Sequence, residues 1–512
     1  MGTKARAQGG ASNARGTSTR RPRLAMVAVM SILAAGFVLS FVAAAPAAAT
    51  ARCFDPTAAP VTIGANWALT GSTTGGTADQ VDVVKFEINH GCGIRVGSAH
   101  GGVGSPLAVL LRDNTNTAAR AAAVTNELIA AGAVAVVGGS SSTPGPPAAQ
   151  AAVQANVPFG ANQAAADSMS GCTAAELADP AVTKSATPVY GAGKCWDNHG
   201  LVFRTAATGN QFGTVAARYA RETYPTSTTA AIVYRDDDFG RPDHDGLRTK
   251  FVELGGTVSA ESGIVESTST VASLKTVLKT LTLGNPSIIL GGINTTFRNF
   301  MQAYVELRDD PTWTAKPSNF DTLRFVWAAT LSGNYGDVSP AVRAVLVNQS
   351  VFVQPAWDAT SAPYQRWFAL YRAAIPTAQP PINAFYMSGY DTMIVMSLAI
   401  VAAGTTNGPA VAAKFRQVAN PPGKVVCPGQ WRKAVRLLAA GKDINYEGAS
   451  GPIDLDERGN ATGITFGIFK VQADGTTALV GNFGAPPVQP RCPTLPESMT
   501  AVGPAPAYAG LR

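Results

Sequence analysis

Unbroken apolar segments that alternate with helical ones restrict this chain more than any other feature it has. Leu107 to Leu111 and Ala133 to Val137 are apolar throughout, and Thr117 to Ala131 between them is an Ala-rich helix. Ahead of them, Val61 to Asn66 reads as a strand, Leu69 to Gly76 as a flexible loop and Ala78 to Asn89 as a helix. A strand covered on one face alternates apolar and polar residues. One that is apolar at every position is covered on both, the condition of a parallel sheet between two helical layers. The pattern predicts an α/β fold of the doubly wound type.

The series then repeats. Past Phe203-Arg204, Ala217 to Glu222 is helical, Ala230 to Tyr234 a strand, Asp245 to Leu254 a helix and Thr257 to Ala260 a strand, continued by Leu274 to Leu281 and Ser287 to Leu290. Between the two series, Ser168 to Gly200 holds two Cys, several Gly and Pro and little periodicity, and reads as a disulfide-closed insertion. Val345 to Val353 and the helices around Tyr364 to Ala374 and Ala384 to Ala402 are expected to return to the first lobe. With 512 residues, 46% of them apolar, the chain is too long for one ordinary domain and too apolar for disorder. Two lobes are the natural division.

The formal charge of +7 is concentrated at one end. Six basic residues (Lys4, Arg6, Arg15, Arg20, Arg21 and Arg23) and no acid lie in the first 49 positions, so the remainder carries 34 basic against 33 acidic residues. A near-neutral body argues against nucleic acid as a partner, since phosphate recognition needs a basic face. After Arg23 comes an apolar run, Leu24 to Val42, then the small residues Ala43 to Ala49, a small-x-small cleavage pattern. Residues 1–49 read as a signal peptide cut near Ala49, with an uncleaved membrane anchor as the alternative. The protein is therefore expected to be exported, to a periplasm, cell envelope or extracellular space. All six cysteines (Cys53, Cys92, Cys172, Cys195, Cys427 and Cys492) lie beyond that segment, an even number that suits oxidised pairs. A helix returning antiparallel to the first strand makes Cys53–Cys92 geometrically reasonable; Cys172–Cys195 would close the insertion, leaving Cys427–Cys492.

The sharpest local signal is the loop Gly138-Gly139-Ser140-Ser141-Ser142-Thr143, which leaves an apolar strand and enters a helix whose first turn is marked by Pro144, Pro146 and Pro147. Free N–H groups and a partial positive charge at such a helix start can hold a carboxylate; the alternative is that Ser140 and Ser142 only cap the helix. A nucleophilic serine competes, but Gly139 to Thr143 lacks the second glycine of a hydrolase elbow. The chain has four His (His90, His100, His199 and His244) to serve as base. Asp236-Asp237-Asp238 at a strand end points in divergent directions and reads as a solvated loop. Neither a Walker loop nor a dinucleotide fingerprint follows any strand, and no metal-ligand spacing occurs. No cofactor, metal or catalytic group is expected.

Several motifs in order resemble a known family. Leu69-Thr70-Gly71, Asp236 to Gly240 with Gly246-Leu247 and Leu254-Gly255-Gly256, Gly389-Tyr390-Asp391, Tyr446 to Gly459 with Gly451-Pro452-Ile453-Asp454-Leu455-Asp456-Glu457-Arg458-Gly459, Phe466-Gly467-Ile468-Phe469 and Ala473-Asp474-Gly475 are similar to the branched-chain amino-acid-binding (Leu/Ile/Val-type) extracytoplasmic proteins of ABC importers. The likeness runs over about residues 60 to 482. It implies the type I periplasmic-binding fold, two α/β lobes joined by three crossovers, with a leucine-binding-type domain that closes on a small molecule. With the two series, it divides the chain into lobe 1 (60–202 and 335–464, with insertion 168–200), lobe 2 (203–334 and 465–484) and a Pro/Ala-rich tail (485–512).

The resemblance places Ser140 where a ligand carboxylate is held, with Ser141 and Ser142 beside it, and Ala164 and Ala165 at the next helix-start contact. Phe239 stands where a ring covers the ligand, Leu290 where a tyrosine is common, Ala329 or Thr330 where an acid pairs the ligand's ammonium, and Gly75 in a loop that is aromatic in the leucine-specific branch. A buried ammonium without a carboxylate partner costs several kcal/mol, so a less polar carboxylate is expected in place of leucine, isoleucine or valine. The expected partners are that small molecule and ABC permease subunits. A ligand-sensing receptor of the same fold is the first alternative and a secreted serine hydrolase the second.

Overall fold

The computed structural model describes residues 53–71, 78–97, 103–329, 331, 333–377, 384–484 and 492–493. The expected signal peptide and nearly all of the expected tail lie outside them.

The strands in chain order are β1 (Val61–Trp67), β2 (Leu107–Asp113), β3 (Ala135–Gly138), β4 (Phe159–Ala161), the short pair β5 (Thr183–Ser185) and β6 (Lys194–Trp196), and β7 (Val202–Arg204). They continue with β8 (Thr229–Arg235), β9 (Thr257–Ile264), β10 (Ile288–Gly292), β11 (Arg324–Trp327) and β12 (Ser350–Pro355). The last five are β13 (Lys424–Val426), β14 (Ile444–Gly448), β15 (Gly451–Pro452), β16 (Thr465–Val471) and β17 (Thr477–Gly484).

The first lobe is built on a parallel sheet of order β2-β1-β3-β4-β7. Side chains of adjacent residues on a strand point to opposite faces. Ile63, Ala65, Ala135 and Val137 therefore pack with the helices Ala78–His90, Ala362–Ala374 and Phe385–Ala403, while Val136, Phe159 and Ala161 pack with the helices Ala118–Ala130 and Gly145–Gln154. Phe385–Ala403 is long and apolar enough to cross a bilayer, yet it is buried in the core of this lobe.

The second lobe holds the sheet β17-β16-β12-β11-β10-β8-β9, parallel from β12 to β9 and antiparallel at β16 and β17. Ala231, Val233, Ile289, Phe325 and Trp327 meet the helices Val271–Leu281, Phe297–Arg308 and Pro340–Gln349. Ile232, Leu290, Val326, Val351 and Val353 meet the helices Gly209–Thr223 and Gly240–Glu253 on the other face.

Here the structure corrects the expected boundary. Val345 to Val353 does not return to the first lobe: β12 lies parallel to β11, and Val345 and Phe352 belong to the second lobe's core. The chain crosses back only after Pro355, so residues from 335 to there belong to lobe 2. A fully apolar strand is equally at home in either sheet, and its partner is decided by long-range packing.

Three connecting segments run side by side between the lobes. Arg204 N–H donates to the Gly459 carbonyl (2.8 Å), Ala461 N–H to the Arg204 carbonyl (3.1 Å) and Ala356 N–H to the Thr465 carbonyl (2.9 Å). Gly459 sits at φ +82°, and a Cβ there would fall 2.5 Å from the Val202 carbonyl oxygen, so the close approach needs a glycine. Disulfides join Cys53–Cys92, Cys172–Cys195 and Cys427–Cys492.

The Tyr390-Asp391 and Tyr446 motifs meet within the first lobe. Buried Asp391 accepts from the Tyr446 hydroxyl (2.8 Å), the N–H groups of Ala449 and Ser450 (2.8 Å each) and the Ser450 hydroxyl (2.6 Å). Burial pushes its carboxyl up to about 6, and those donors hold it from going higher.

Candidate functional site

Parallel strands end in loops on one side of their sheet, and ligands of open α/β folds bind outside those carboxyl ends. In this molecule the carboxyl ends of both sheets border one cleft of about 520 Å³, a volume suited to a small organic molecule.

The first lobe supplies Asn116 after β2, Ser140 to Thr143 after β3, Gln163 and Ala165 after β4, and Phe385. Gly139 turns the chain at φ +78°, with Ala164 and Gly145 each 3.1 Å from where a Cβ would stand. That turn directs Ser140 inward, where its hydroxyl is fully buried and accepts from the Ala68 N–H at 2.6 Å. The Ser141 hydroxyl donates to Asn116 Oδ1 (2.8 Å). No side chain caps the following helix Gly145–Gln154, and among the described residues no backbone carbonyl takes the N–H groups of Ser141, Ser142 or Thr143. The loop that lines the cleft thus carries N–H donors no described carbonyl takes, at the positive end of a helix.

The second lobe supplies Arg235, Asp236, Asp237 and Phe239 after β8, Ile264 to Ser267 after β9, Asn294 and Thr295 after β10, and Phe212. Asp237 Oδ1 accepts from the N–H groups of Phe239 and Gly240 (3.0 Å each), capping the helix Gly240–Glu253, while Oδ2 accepts from Arg235 Nε (2.9 Å) and Nη2. Glu266 accepts from Asn294 N–H (2.5 Å), Thr296 N–H (3.4 Å) and the Thr295 and Thr296 hydroxyls (3.0 and 3.1 Å), with Arg235 Nε 3.6 Å away. The Arg235 guanidinium lies over the Phe239 ring at 5.1 Å. Asp236 pairs with Arg241 (2.8 Å). Behind this wall Asp243 is wholly buried against Gly292, and neither of its oxygens has a partner. Burial pushes its carboxyl well above the usual carboxylate range, against the pull of Arg235.

Of the site residues expected from sequence, Ser140, Ser141, Ser142, Ala165 and Phe239 line the cleft. Three do not. Leu290 is mid-strand in β10 and faces the helical layer, Ala329 is buried in the opposite core layer, and Ala164 packs against Gly139 and Gly145. The strand β10 reaches the cleft only past Gly292, at Asn294. Gly75 and Thr330 lie outside the described residues. Arg235, Glu266, Asn294, Gln163, Phe212 and Phe385 were not anticipated; four of them come within a few residues of a strand's carboxyl end, the position that marks them in sequence. Among the described residues no serine–histidine pair is formed at the cleft: the Ser140 oxygen accepts from Ala68 N–H, and no described histidine lines the cleft. His244 contacts Asp245 and Glu261 (3.0 and 3.1 Å).

A family model described as periplasmic binding protein matches residues 60–476. Among curated proteins no sequence matches. Similar solved structures include the leucine-binding protein LivK of Thermotoga maritima (14% identity, 83% of this chain and 99% of that one, TM-score 0.55). Another is the branched-chain amino acid transporter substrate-binding protein LivJ of Streptococcus pneumoniae in complex with isoleucine (16%, 83% and 100%, 0.53). A third is an ABC-transporter solute-binding protein of R. palustris in complex with 4-hydroxybenzoate (14%, 83% and 97%, 0.56). These structures share the two-lobed arrangement of sheets around a cleft. On the match across most of its length, the chain belongs to the periplasmic binding protein family.

Proposed function

We propose that this protein is the exported solute-binding component of an ABC importer, which captures a small carboxylate-bearing solute between its lobes and delivers it to the permease. The observation that carries the reading is the row of N–H groups at Ser141 to Thr143 that no described backbone carbonyl takes, set in a cleft lined from both lobes. Such donors stabilise a negative group. The named ligands of the similar structures, isoleucine and 4-hydroxybenzoate, both carry a carboxylate.

The mechanism is a shift of population. A solute that touches Ser141 and Ser142 on one side and Phe239 on the other gains its full contacts only when the lobes are together, so it favours the closed form by that difference. Hinge bending takes place in the three connecting segments, and the closed form is the surface offered to the permease. Residues 1–49 direct export and are removed near Ala49.

A thermal-shift screen of residues 50 to 512 against amino acids, aliphatic and aromatic carboxylates, amides and polyols tests this reading. A carboxylate at about 100 times its dissociation constant adds roughly 2.7 kcal/mol to unfolding. A panel in which only amides or polyols stabilise the protein, or nothing does, would contradict it.

A further inference from the structure

The two walls of the cleft differ in what they have left to offer, and the difference defines the ligand. On the second lobe the two acids that hold Arg235, half-exposed Asp237 and largely enclosed Glu266, are spent. Asp237 has one oxygen on two backbone N–H groups and the other on Arg235; Glu266 has its oxygens on the start of the helix Phe297–Arg308 and beside Arg235. Asp236 is exposed and paired with Arg241, a position where an ion pair contributes little. Among the described residues that line the cleft, a ligand ammonium therefore finds no carboxylate without a partner.

Arg235 is in the opposite condition. Two acids on its Nε and Nη2 side and the Phe239 ring beneath fix its plane, and among the described residues no acceptor takes Nη1. Its side chain is 16% exposed. A guanidinium held in this way keeps a directional pair of donors ready for an anion. Two amides complete the inventory: Gln163 Oε1 on the first lobe and Asn294 Oδ1 on the second are buried without a partner. An amide end left unpaired in a closed site costs free energy. A hydroxyl, which both donates and accepts, satisfies it in either orientation of the amide. Phe212, Phe239 and Phe385 supply the apolar surface between these polar points.

We infer that the ligand is a small carboxylate bearing a hydroxyl and no ammonium group, and that Arg235 is the residue that selects it, its Nη1 receiving the carboxylate. The inference rests on the solute-binding reading and narrows it. In the apposed state the anion lies in reach of donors from both lobes, so discrimination against amino acids comes from an ammonium stripped of water with no partner.

Calorimetry on the purified protein tests this with matched probes: phenylalanine, 3-phenyllactate and 3-phenylpropanoate, then 4-hydroxybenzoate, benzoate and 4-hydroxybenzamide. The hydroxy acids are expected to bind tightest, with phenylalanine and the uncharged amide each weaker by ~10-fold or more. Arg235→Gln should weaken the acids by a similar ~10-fold and the uncharged amide by less, since the amide loses only a neutral-acceptor hydrogen bond. Arg235→Lys keeps the charge, relieves Asp237 and Glu266, and still loses the fork, so it should weaken the acids by about 3- to 10-fold. Unfolding of each unliganded variant shows that it is folded. Phenylalanine binding more tightly than phenyllactate, or acids unmoved by both substitutions, would overturn the inference while leaving a solute-binding protein. Silence from all six probes together with the amino acids, amides and polyols of the wider screen would overturn both.

Discussion

Glu87 offers a prediction whose size can be worked from the structure. It lies on the helix Ala78–His90, fully enclosed, accepting from the Tyr390 hydroxyl and from Trp431 N–H (3.3 Å). Burial raises its carboxyl from 4.5 to about 7, against the opposing pull of those hydrogen bonds. The folded protein therefore holds a proton that the unfolded chain releases as pH rises past 4.5. Its contribution to stability is intact below that value and is lost between 4.5 and about 7. Each unit is worth about 1.4 kcal/mol, so the loss approaches ~3 kcal/mol. Glu87→Gln keeps its Oε1 as the acceptor for Trp431 N–H, turns its NH2 toward the Tyr390 oxygen and has no proton to retain. Urea unfolding of both proteins from pH 4.5 to 8 should show the variant gaining about 3 kcal/mol on the wild type across that interval. Asp167, Asp243 and Asp391 titrate alike in both and cancel in the difference. A difference that stays constant with pH, or moves the other way, would refute the reasoning.

Asp391→Asn should cost about 2 to 4 kcal/mol in the same assay, because the amide turns its NH2 toward donors that the carboxylate had satisfied. Asp243→Asn should raise the melting temperature at pH 7 and leave it unchanged near pH 4, since the wild-type side chain must stay protonated in a pH range where the unfolded chain ionises it; an equal effect at both pH values would count against this. Replacing Cys172 and Cys195 together by Ser should lose about 3 kcal/mol, the chain entropy of the loop they close. Gly139→Val forces a β-branched residue into a positive-φ turn beside Ala164 and should weaken carboxylate binding along with stability, by at least ~1 to 3 kcal/mol in unfolding free energy.

How far the sequence could be read depended on whether each feature was local. The strands β1, β3, β8 and β10 are apolar runs and announce themselves, whereas β4 and β7 span three residues each and acquire strand form only from their neighbours. The edge strand β9 alternates exposed and half-buried residues to Gly263, so only its first half stood out. The fate of β12 was illegible because sheet membership is a long-range property. At the site, Ser140 to Thr143 was visible as a strand-to-helix loop, but the commitment of the Ser140 hydroxyl to Ala68 depends on a contact across 72 positions. The acids Asp236 to Asp238 were visible and read as a solvated loop; Asp237 instead caps a helix and fixes Arg235 through contacts two and three positions away, and Glu266 reaches Arg235 because β8 and β9 are adjacent. The Tyr390-Asp391 and Tyr446 to Gly459 motifs, which carried the resemblance, hold the first lobe and its connections together and line no part of the cleft.

The central claim, that a small carboxylate is held in the cleft between the lobes, is tested most directly by blocking that space. Ser142 is half-buried in the cleft wall, its side chain bound to no other described residue, and Ser142→Trp would fill the volume the ligand needs. The measurement is the thermal shift given by the best-binding carboxylate on wild type and variant at equal concentration. A clear rise for the wild type and none for a variant with an unchanged unliganded melting temperature is the predicted result. An equal rise in both proteins would place binding elsewhere and contradict the account.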